Sequence, residues 1–206
     1  MTGINSVFGK KGVTWNSWEE KRRILRHYNR LAMIYDSLYG EEQNAKIKSI
    51  LKVVKMRCED WVLDAGCGTG LLTKYIASRV NHFVGIDLAG KVLKAAEERS
   101  RRLRIKQNVS LMRADVDNLP FKDGVFDKIF ALTLLQNVPE PCETLQEMVR
   151  VVKNKSQIAV TGLKKHFTEE NFTMMLNRIR GKYILVRYPE THDFIAIVEV
   201  NKESKE

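Results

Sequence analysis

The chain has 206 residues and a formal net charge of +10, and 44% of its residues are hydrophobic. This length and composition suffice for one domain with a continuous core, and they exclude a fibrous or largely disordered chain. The longest apolar run, around residues 129–135, is too short to cross a bilayer, and the three scattered cysteines form no metal or disulfide pattern, so we expect a cytoplasmic protein with no membrane partner and no metal.

The first quarter of the chain predicts a leader followed by two helices. Residues 1–14 mix Gly, Ser, Asn and Lys without apolar periodicity and are expected to be flexible. Apolar side chains then recur at helical spacing, at Ile24, Tyr28, Leu31 and Tyr35. This stripe predicts a helix that ends near Gly40, followed by a second helix over residues 41–55. We therefore expect a single domain over residues 15–206, with N-terminal helices at 15–56 and a core at 57–206.

From Trp61 onward, short apolar runs alternate with amphipathic segments, which is typical of successive βαβ units. Strands are expected at residues 61–64, 83–87, 109–113, 126–132 and 157–162, with helices at 71–79, 89–103 and 140–151. A last helix at 168–180 precedes two alternating segments, 183–188 and 194–200, that read as a terminal hairpin. The sequence therefore predicts an α/β fold with a seven-stranded, mostly parallel sheet, helices on both faces and a C-terminal antiparallel hairpin.

A glycine-rich segment, Asp64-Ala-Gly-Cys-Gly-Thr-Gly70, lies between the first strand and the helix after it. Its glycines allow the backbone to turn sharply and to approach a ligand closely, because no Cβ intervenes. In open α/β sheets such a crevice at the carboxyl end of a strand binds cofactors. The glycines alone also fit a dinucleotide enzyme that uses NAD, but Asp64 favours a cationic amine and would repel a pyrophosphate.

Two further acids follow the next two strands. Asp87 ends the second strand, about twenty residues after the turn, where a carboxylate accepts hydrogen bonds from ribose hydroxyls. Asp115 follows the third strand, where it could accept from an adenine amino group while Val116 packs on the ring. Asp115 taken alone is equally well a surface turn residue. Acids at three consecutive strand ends indicate a site for a cofactor that contains adenosine and a cationic group.

These motifs resemble the class I S-adenosylmethionine-dependent methyltransferases of type 11, from about Tyr28 to the C-terminus. Residues 64–70 match the D-x-G-x-G-x-G motif of that family, and residues 85–87 and 114–116 match its ribose and adenine sites. The resemblance implies a Rossmann-like fold, an N-terminal helical lid and S-adenosyl-L-methionine as cofactor. The implied cofactor-binding residues are Asp64, Gly66, Cys67, Gly68, Gly70, Asp87, Leu88, Asp115, Val116, Tyr28, Tyr35 and Thr133.

Two segments resemble particular subgroups of the family. Residues 28–36 are similar to the Y-D-x-x-A-x-x-Y-D segment of quinone-biosynthesis and wobble-uridine tRNA methyltransferases, which implies that Tyr28 and Tyr35 contact the methionine end of the cofactor. Both tyrosines fit a packed helical stripe equally well. Residues 135–138 are similar to the LRNV of quinone methyltransferases, which implies substrate contacts for Gln136 and Asn137.

The sequence leaves three alternatives for the methyl acceptor and the partners. RNA, in particular tRNA, is slightly favoured by the net charge and by the cations within residues 21–30 and 99–106, although such faces are often merely solvated. A small quinone-type molecule is favoured by residues 135–138. The third alternative is a cofactor-binding subunit that pairs an edge of its sheet with a small zinc-binding activator protein. No catalytic residue is assigned, because His27, His166 and His192 are each ordinary surface residues as readily as bases.

Overall fold

The computed structural model describes residues 17–188 and 191–202, so the leader expected at residues 1–14 lies outside the described range. Two helices come first, α1 at Ser17–Leu31 and α2 at Tyr35–Val53. Strands and helices follow in the order β1 Trp61–Ala65, α3 Thr73–Ile76, β2 His82–Asp87, α4 Gly90–Arg102, β3 Val109–Arg113, β4 Phe126–Ala131, α5 Pro141–Val151, β5 Val152–Leu163, α6 Glu169–Leu176, β6 Gly181–Leu185 and β7 Asp193–Val200. Single 3₁₀ turns occur at Ala77–Arg79, Lys106–Asn108 and Leu135–Asn137.

The strands form one seven-stranded sheet in the order β3-β2-β1-β4-β5-β7-β6. The first five strands of that order are parallel, whereas β7 pairs antiparallel with both β5 and β6. This arrangement confirms the mostly parallel sheet and the C-terminal hairpin. From β1 the chain adds β2 and β3 on one side of the sheet and then β4 and β5 on the other, so the order of strands switches between β1 and β4. Open α/β sheets bind ligands at such a switch point, outside the carboxyl ends of the strands.

Both faces of the sheet are covered by helices, as the sequence predicts. On one face, α5 and α6 bury side chains such as Met148 and Phe172 against the strands. On the other face, Ile47 and Ile50 of α2 pack with Ile76 of α3. The sheet therefore lies between two apolar layers. The edge formed by the carboxyl ends of the parallel strands lies outside these layers, so polar and ligand-binding groups can lie there. In the part of the chain described, no helix is both long and apolar enough to cross a bilayer.

The break between the two N-terminal helices differs from the prediction. The apolar stripe predicts one helix as far as Gly40, but α1 ends at Leu31 and α2 begins at Tyr35. Gly40 lies buried inside α2, where an added Cβ would meet only the Cβ of Asp36, at 3.9 Å. Glycine disfavours a helix interior by only about 1 kcal/mol, which the packing of α2 on the sheet outweighs. The predicted stop at Gly40 was therefore wrong.

Other element bounds also differ by a few residues. The predicted strand at 157–162 extends over Val152–Leu163, because a β-bulge separates an early pairing with β4 from the main register. The predicted helix at 168–180 spans only Glu169–Leu176. The predicted helix at 71–79 is a four-residue helix followed by a 3₁₀ turn. Apolar periodicity locates these elements, whereas hydrogen bonding in the fold decides their ends.

A buried ion pair ties α2 to the last strand. Lys46 is 1% exposed, and its Nζ lies 2.5 Å from Oδ2 of Asp193 at the start of β7. The same ammonium donates to Oγ1 of Thr133 at 2.9 Å, and Nε2 of Gln43 donates to that hydroxyl at 2.9 Å. Because a buried charge is costly without a partner, this cluster holds α2 against the loop that follows β4.

We expect Asp193→Ala to lower the free energy of unfolding by about 3 kcal/mol, since the buried Lys46 ammonium would keep only the more distant carboxylate of Glu42, at 3.9 Å, as a counter-charge. The double variant Lys46→Met with Asp193→Leu removes both charges and should recover most of that loss. Urea unfolding measures each change. Arg187→Ala, which removes an exposed partner of Glu169, is the control and should cost about 0.5 kcal/mol or less. A loss for Asp193→Ala no larger than the control would contradict this account of the ion pair.

Candidate functional site

A cavity opens at the carboxyl ends of the parallel strands, with α1 forming part of its wall. Its volume is about 800 Å³, a figure that includes the open space at its mouth. Ten of the fourteen residues predicted to contact cofactor or substrate line it: Tyr28, Tyr35, Gly66, Gly68, Asp87, Leu88, Asp115, Val116, Thr133 and Asn137. The wall also contains residues that the sequence did not single out as ligand contacts: Lys21, Ile24, Leu25, Thr69, Ala89, Val92, Ala114, Leu132, Leu134 and Val138.

The other four predicted residues are not part of the cavity lining: Asp64, Cys67, Gly70 and Gln136. The Cys67 side chain is buried against β2. Gly70 packs on α4, where an added Cβ would lie 3.0 Å from the Cβ of Ala96. The Gln136 side chain turns back on its own loop and donates from Nε2 to the carbonyl of Thr133 at 2.9 Å. The last three of these residues shape the turn and the loop that form the wall.

The glycine turn, residues 66–70, has the backbone conformation that its composition indicates. Gly66 and Gly68 have φ values of 74° and 54°, in the left-handed region that side chains disfavour. The amides of Gly66 and of the next residue both donate to the carbonyl of Ile86, at 2.9 and 2.8 Å, which ties the turn to β2. An added Cβ on Gly66 would lie 2.9 Å from Cδ1 of Leu134, whereas one on Gly68 would meet nothing within 4 Å. Gly68 therefore faces open space in the cavity.

Asp87 joins the glycine turn to the start of α4. Its Oδ2 accepts from the amide of Gly68 at 3.0 Å, and its Oδ1 accepts from the amide of Ala89 at 2.8 Å. Burial raises the pKa of Asp87, and these two amides oppose the rise. A carboxylate offers about four acceptor positions, so the group can still accept from a ligand in the cavity.

Asp64 is a buried carboxylate, and no side chain or amide of the described residues donates to it. It is 3% exposed at the end of β1. Burial, with the charge of Asp87 as a second cause, raises the pKa of Asp64 to about 8. A carboxylate in such surroundings is stabilised by a cation placed beside it, because charges interact strongly where water is excluded. Asp64 therefore fits a cationic ligand group.

Lys21 of α1 binds two acids beside the third strand. Its Nζ lies 2.7 Å from Oδ2 of Asp115 and 2.6 Å from Oδ2 of Asp117, and its side chain is 13% exposed. Burial lowers the pKa of Lys21, but hydrogen bonds and attraction from Asp115 and Asp117 outweigh it, so the pKa is raised. Lys21 therefore holds α1 over the cavity as a protonated cation.

The tyrosines of α1 and α2 form an aromatic part of the wall. The rings of Tyr28 and Tyr35 have centroids 6.0 Å apart. Burial raises the pKa of both hydroxyls, so both stay protonated at neutral pH. Nδ2 of Asn137 donates to Oη of Tyr28 and to the carbonyl of Thr133, each at 2.8 Å. The Tyr28 hydroxyl is thereby positioned with its own proton available to a ligand.

The fold, the glycine turn, the buried Asp64 and the half-buried Asp87 suit an α/β domain that binds a cofactor with hydroxyl-bearing and cationic parts. Residues 63–160 match the family described as "Methyltransferase domain". Phosphatidylethanolamine N-methyltransferase of Cereibacter sphaeroides is 30% identical over 147 residues, which cover 71% of this chain and 70% of that protein. The chain belongs to the class I S-adenosylmethionine-dependent methyltransferases, a family whose typical methyl donor is S-adenosylmethionine.

Further similarities extend over parts of the relatives. Demethylmenaquinone methyltransferase of Lactobacillus johnsonii is 30% identical over 141 residues, 67% of this chain and 57% of that protein. The chain thus spans little more than half the length of the first curated relatives it matches. Among solved structures, a methyltransferase in complex with the Trm112 methyltransferase activator of Haloferax volcanii has a TM-score of 0.70 at 12% identity, over 84% of this chain and 97% of that one. At that identity the likeness concerns the fold alone.

We expect the affinity for S-adenosylhomocysteine to increase as the pH rises toward about 8. Below that pH the Asp64 carboxyl is protonated, and a cationic amine requires the carboxylate. Binding at neutral pH should therefore release a proton, which calorimetry in two buffers of different ionisation enthalpy measures. Asp64→Asn should bind more weakly and release none. Proton release that is unchanged in Asp64→Asn would contradict this role.

The same pKa determines how the ligand-free chain responds to pH. Asp64 holds its proton more tightly in the folded state than at its ordinary pKa of 3.8, so its contribution to stability is complete at low pH and is lost as the pH rises through about 8. At neutral pH, Asp64→Asn should therefore have a higher melting temperature than the unsubstituted chain when no ligand is present.

Proposed function

We propose that this chain transfers a methyl group from S-adenosylmethionine to a small, largely apolar acceptor that carries an ionisable group. The observation that carries the proposal is the buried Asp64 carboxylate, which accepts from no donor among the described residues and stands two residues before Gly66 on a cavity wall rich in apolar side chains. When bound, S-adenosylmethionine supplies an electrophilic methyl group on a sulfonium. Asp64 would hold its cationic amine, Asp87 its ribose hydroxyls, and Asp115 its adenine, which Val116 and Leu88 would flank.

Asp115, which we assign to the adenine, also has contacts within the protein. Oδ2 of Asp115 already accepts from Lys21, and Oδ1 accepts from the amide of Asp117 at 3.1 Å. An adenine amino group at this position would share the carboxylate with Lys21. The stem of Lys21 would then cover the ring on the α1 side, because Lys21 is part of the same wall.

Among the described residues, those that line the cavity include hydrogen-bond donors but no histidine. His27, His166 and His192 are exposed, and none of the three lines the cavity. The protonated hydroxyls of Tyr28 and Tyr35 can donate to an acceptor oxygen and hold it near the cofactor site. An acceptor that enters already ionised, such as a phenol or a carboxylic acid, needs no proton removed by the chain, so positioning is the main contribution of the protein.

The cavity walls support an apolar acceptor. The larger aliphatic side chains on the wall are Ile24, Leu25, Leu88, Val92, Val116, Leu132, Leu134 and Val138. Two relatives bear names that specify a demethylmenaquinone and a phosphatidylethanolamine as methyl acceptors. We therefore place this chain with the small-molecule alternative of the sequence analysis, in preference to RNA.

Several cations that favour RNA in the sequence have other roles in the fold. Lys21 binds Asp115 and Asp117, as described above. Arg99 donates from Nε to the carbonyl of Thr69 at 2.9 Å and pairs with Asp36. Residues 101–104 form the end of α4 and the turn after it, which lead toward the amino end of β3 at the edge of the sheet opposite the cavity. The side chain of Lys106 lies outside the described part. Little of the cation cluster at 99–106 can therefore reach an acceptor in the cavity.

A protein partner is a second proposal, supported by the sheet edge. In the sheet as described, β6 is an outermost strand, and its Ile184 is 54% exposed. An open edge can add a strand from a partner, and one protein of the same fold is in complex with an activator. Co-purification of a small protein with the chain would support this arrangement. Full activity of the isolated chain would count against it.

We expect Asp87→Ala to weaken S-adenosylhomocysteine binding roughly a hundredfold, because the variant loses an acceptor for the ligand and the tie between the glycine turn and α4. Calorimetry measures the change, and thermal melting checks that the variant is folded. Asp123→Ala is the matched control, since its side chain is 78% exposed and pairs with Arg150. Binding of NAD without binding of S-adenosylhomocysteine by the unsubstituted chain would overturn the proposal.

The acceptor class is tested with tritiated S-adenosylmethionine offered with total lipid extract, total RNA or soluble protein. We expect label in the lipid extract. Tyr28→Phe removes one donor hydroxyl and should slow the labelling at least roughly tenfold, while S-adenosylhomocysteine affinity stays within about twofold. Label found only in RNA would refute the small-molecule acceptor.

A further inference from the structure

The turn between α1 and α2 exposes an apolar patch, which we define as Met33, Ile34, Leu38 and Tyr39. Their exposed fractions are 92%, 49%, 56% and 42%. Ile34 and Leu38 are one helical turn apart, and the amide of Leu38 donates to the carbonyl of Ile34 at 3.1 Å, so their side chains form one ridge. Grouped exposed apolar side chains on a protein surface mark a binding surface.

The apolar patch is continuous with the cavity. The ring of Tyr39, in the patch, lies 5.2 Å from that of Tyr35, and the ring of Tyr35 lies 6.0 Å from that of Tyr28, measured between centroids. Tyr35 and Tyr28 both line the cavity. The three rings form an apolar path from the surface to the wall where an acceptor would bind.

The exposed face of α1 is rich in arginine. Its exposed cations, which we call the α1 arginines, are Arg22, Arg23, Arg26 and Arg30. They project away from the side chains of α1 that line the cavity. The acids of this helix are Glu19 and Glu20 in its first turn, and Glu20 lies 3.8 Å from Arg23. The face keeps a net positive charge that continues to Arg30, three residues before the apolar patch.

We propose that the junction of α1 and α2 docks onto the surface of an anionic phospholipid bilayer. The apolar patch would enter the acyl region, and the α1 arginines would bind lipid phosphates. Apolar side chains beside several cations are the features of segments that bind such interfaces. Three of the four patch residues are aliphatic, which favours acyl chains over RNA bases, since bases stack on aromatic rings.

Docking at an interface requires no spanning helix, so the short apolar runs of the sequence do not argue against it. The inference rests on the proposed function in one respect. If the acceptor is an apolar molecule dissolved in a bilayer, docking at the apolar patch brings the mouth of the cavity to the place where that acceptor resides. The docking itself requires only the patch and the arginines.

Co-sedimentation with vesicles tests the proposal. The full chain is mixed with vesicles of phosphatidylcholine alone, or of phosphatidylcholine and phosphatidylglycerol in equal parts. We expect binding to the second kind that weakens with added salt, and little binding to the first. The triple variant Met33→Ser, Ile34→Ser, Leu38→Ser should bind roughly tenfold more weakly. The variant Arg26→Gln with Arg30→Gln should also bind roughly tenfold more weakly.

Matched controls change similar residues elsewhere on the surface. Met174→Ser with Ile184→Ser removes two apolar side chains that are 44% and 54% exposed on α6 and β6. Arg101→Gln with Arg102→Gln removes two cations at the opposite edge of the sheet. Both should bind vesicles like the unsubstituted chain. Equal binding by the patch variant and its control would overturn the proposal, as would loss of vesicle binding when tRNA is added at physiological salt.

Failure of this inference is distinguishable from failure of the proposed function. Every variant is also assayed for S-adenosylhomocysteine affinity, which the patch and arginine substitutions should leave within about twofold, because they lie off the cavity wall. Methyl transfer to detergent-dispersed lipid extract without any vesicle binding would refute the docking and leave the proposed function intact. Vesicle binding that requires the apolar patch, without methyl transfer to any lipid fraction, would support the docking and refute the acceptor class.

Discussion

The carboxylate of Asp87 is the contact on which the arrangement of the site depends. One oxygen accepts from the amide of Gly68 and the other from the amide of Ala89, so one half-buried group joins the glycine turn, the end of β2 and the start of α4. Parallel register then places Asp64 of β1 beside this strand end. Two carboxylates are thereby held close in a region with little water, and their raised pKa values report the cost of that arrangement. A cationic ligand with hydroxyl groups relieves that cost.

Charged and polar contacts hold the N-terminal helices at this edge of the sheet, in addition to the apolar packing of α2. Lys21 reaches Asp115 at the end of the third strand, Asp36 accepts from the Thr69 hydroxyl at 2.6 Å in the glycine turn, and Lys46 binds at the start of β7. Apolar packing alone would let these helices slide along the sheet, because hydrophobic contacts are not directional. The charged contacts determine their position, and with it the part of the cavity wall that these helices form.

Two kinds of cation contribute to the net charge of +10, and composition cannot distinguish them. Lys21, Lys46 and Arg99 turn inward and form pairs within the fold. Arginines on the outer face of α1 remain at the surface and adjoin exposed apolar side chains. An excess of Lys and Arg in a sequence suggests nucleic acid as a partner. Here the inward cations form pairs within the fold, and the surface arginines, as we propose, bind a lipid surface. Position in the fold, and not total charge, therefore decides what the cations can recognise.

The sequence by itself determined the order of strands and helices, the glycine turn and the acids at the strand ends. These features are local, since alternation follows from burial, positive φ favours glycine, and parallel strands bring their carboxyl ends to one edge. Only the tertiary structure decided the helix break at residues 32–34, the place of Lys21 in the wall and the cluster of Gln43, Lys46 and Thr133. Lys21 meets Asp115 across 94 residues, and Lys46 meets Thr133 across 87. Such pairings leave no periodic signal in the chain, because any exposed-looking lysine can make them once packing brings a buried carboxylate or hydroxyl within reach.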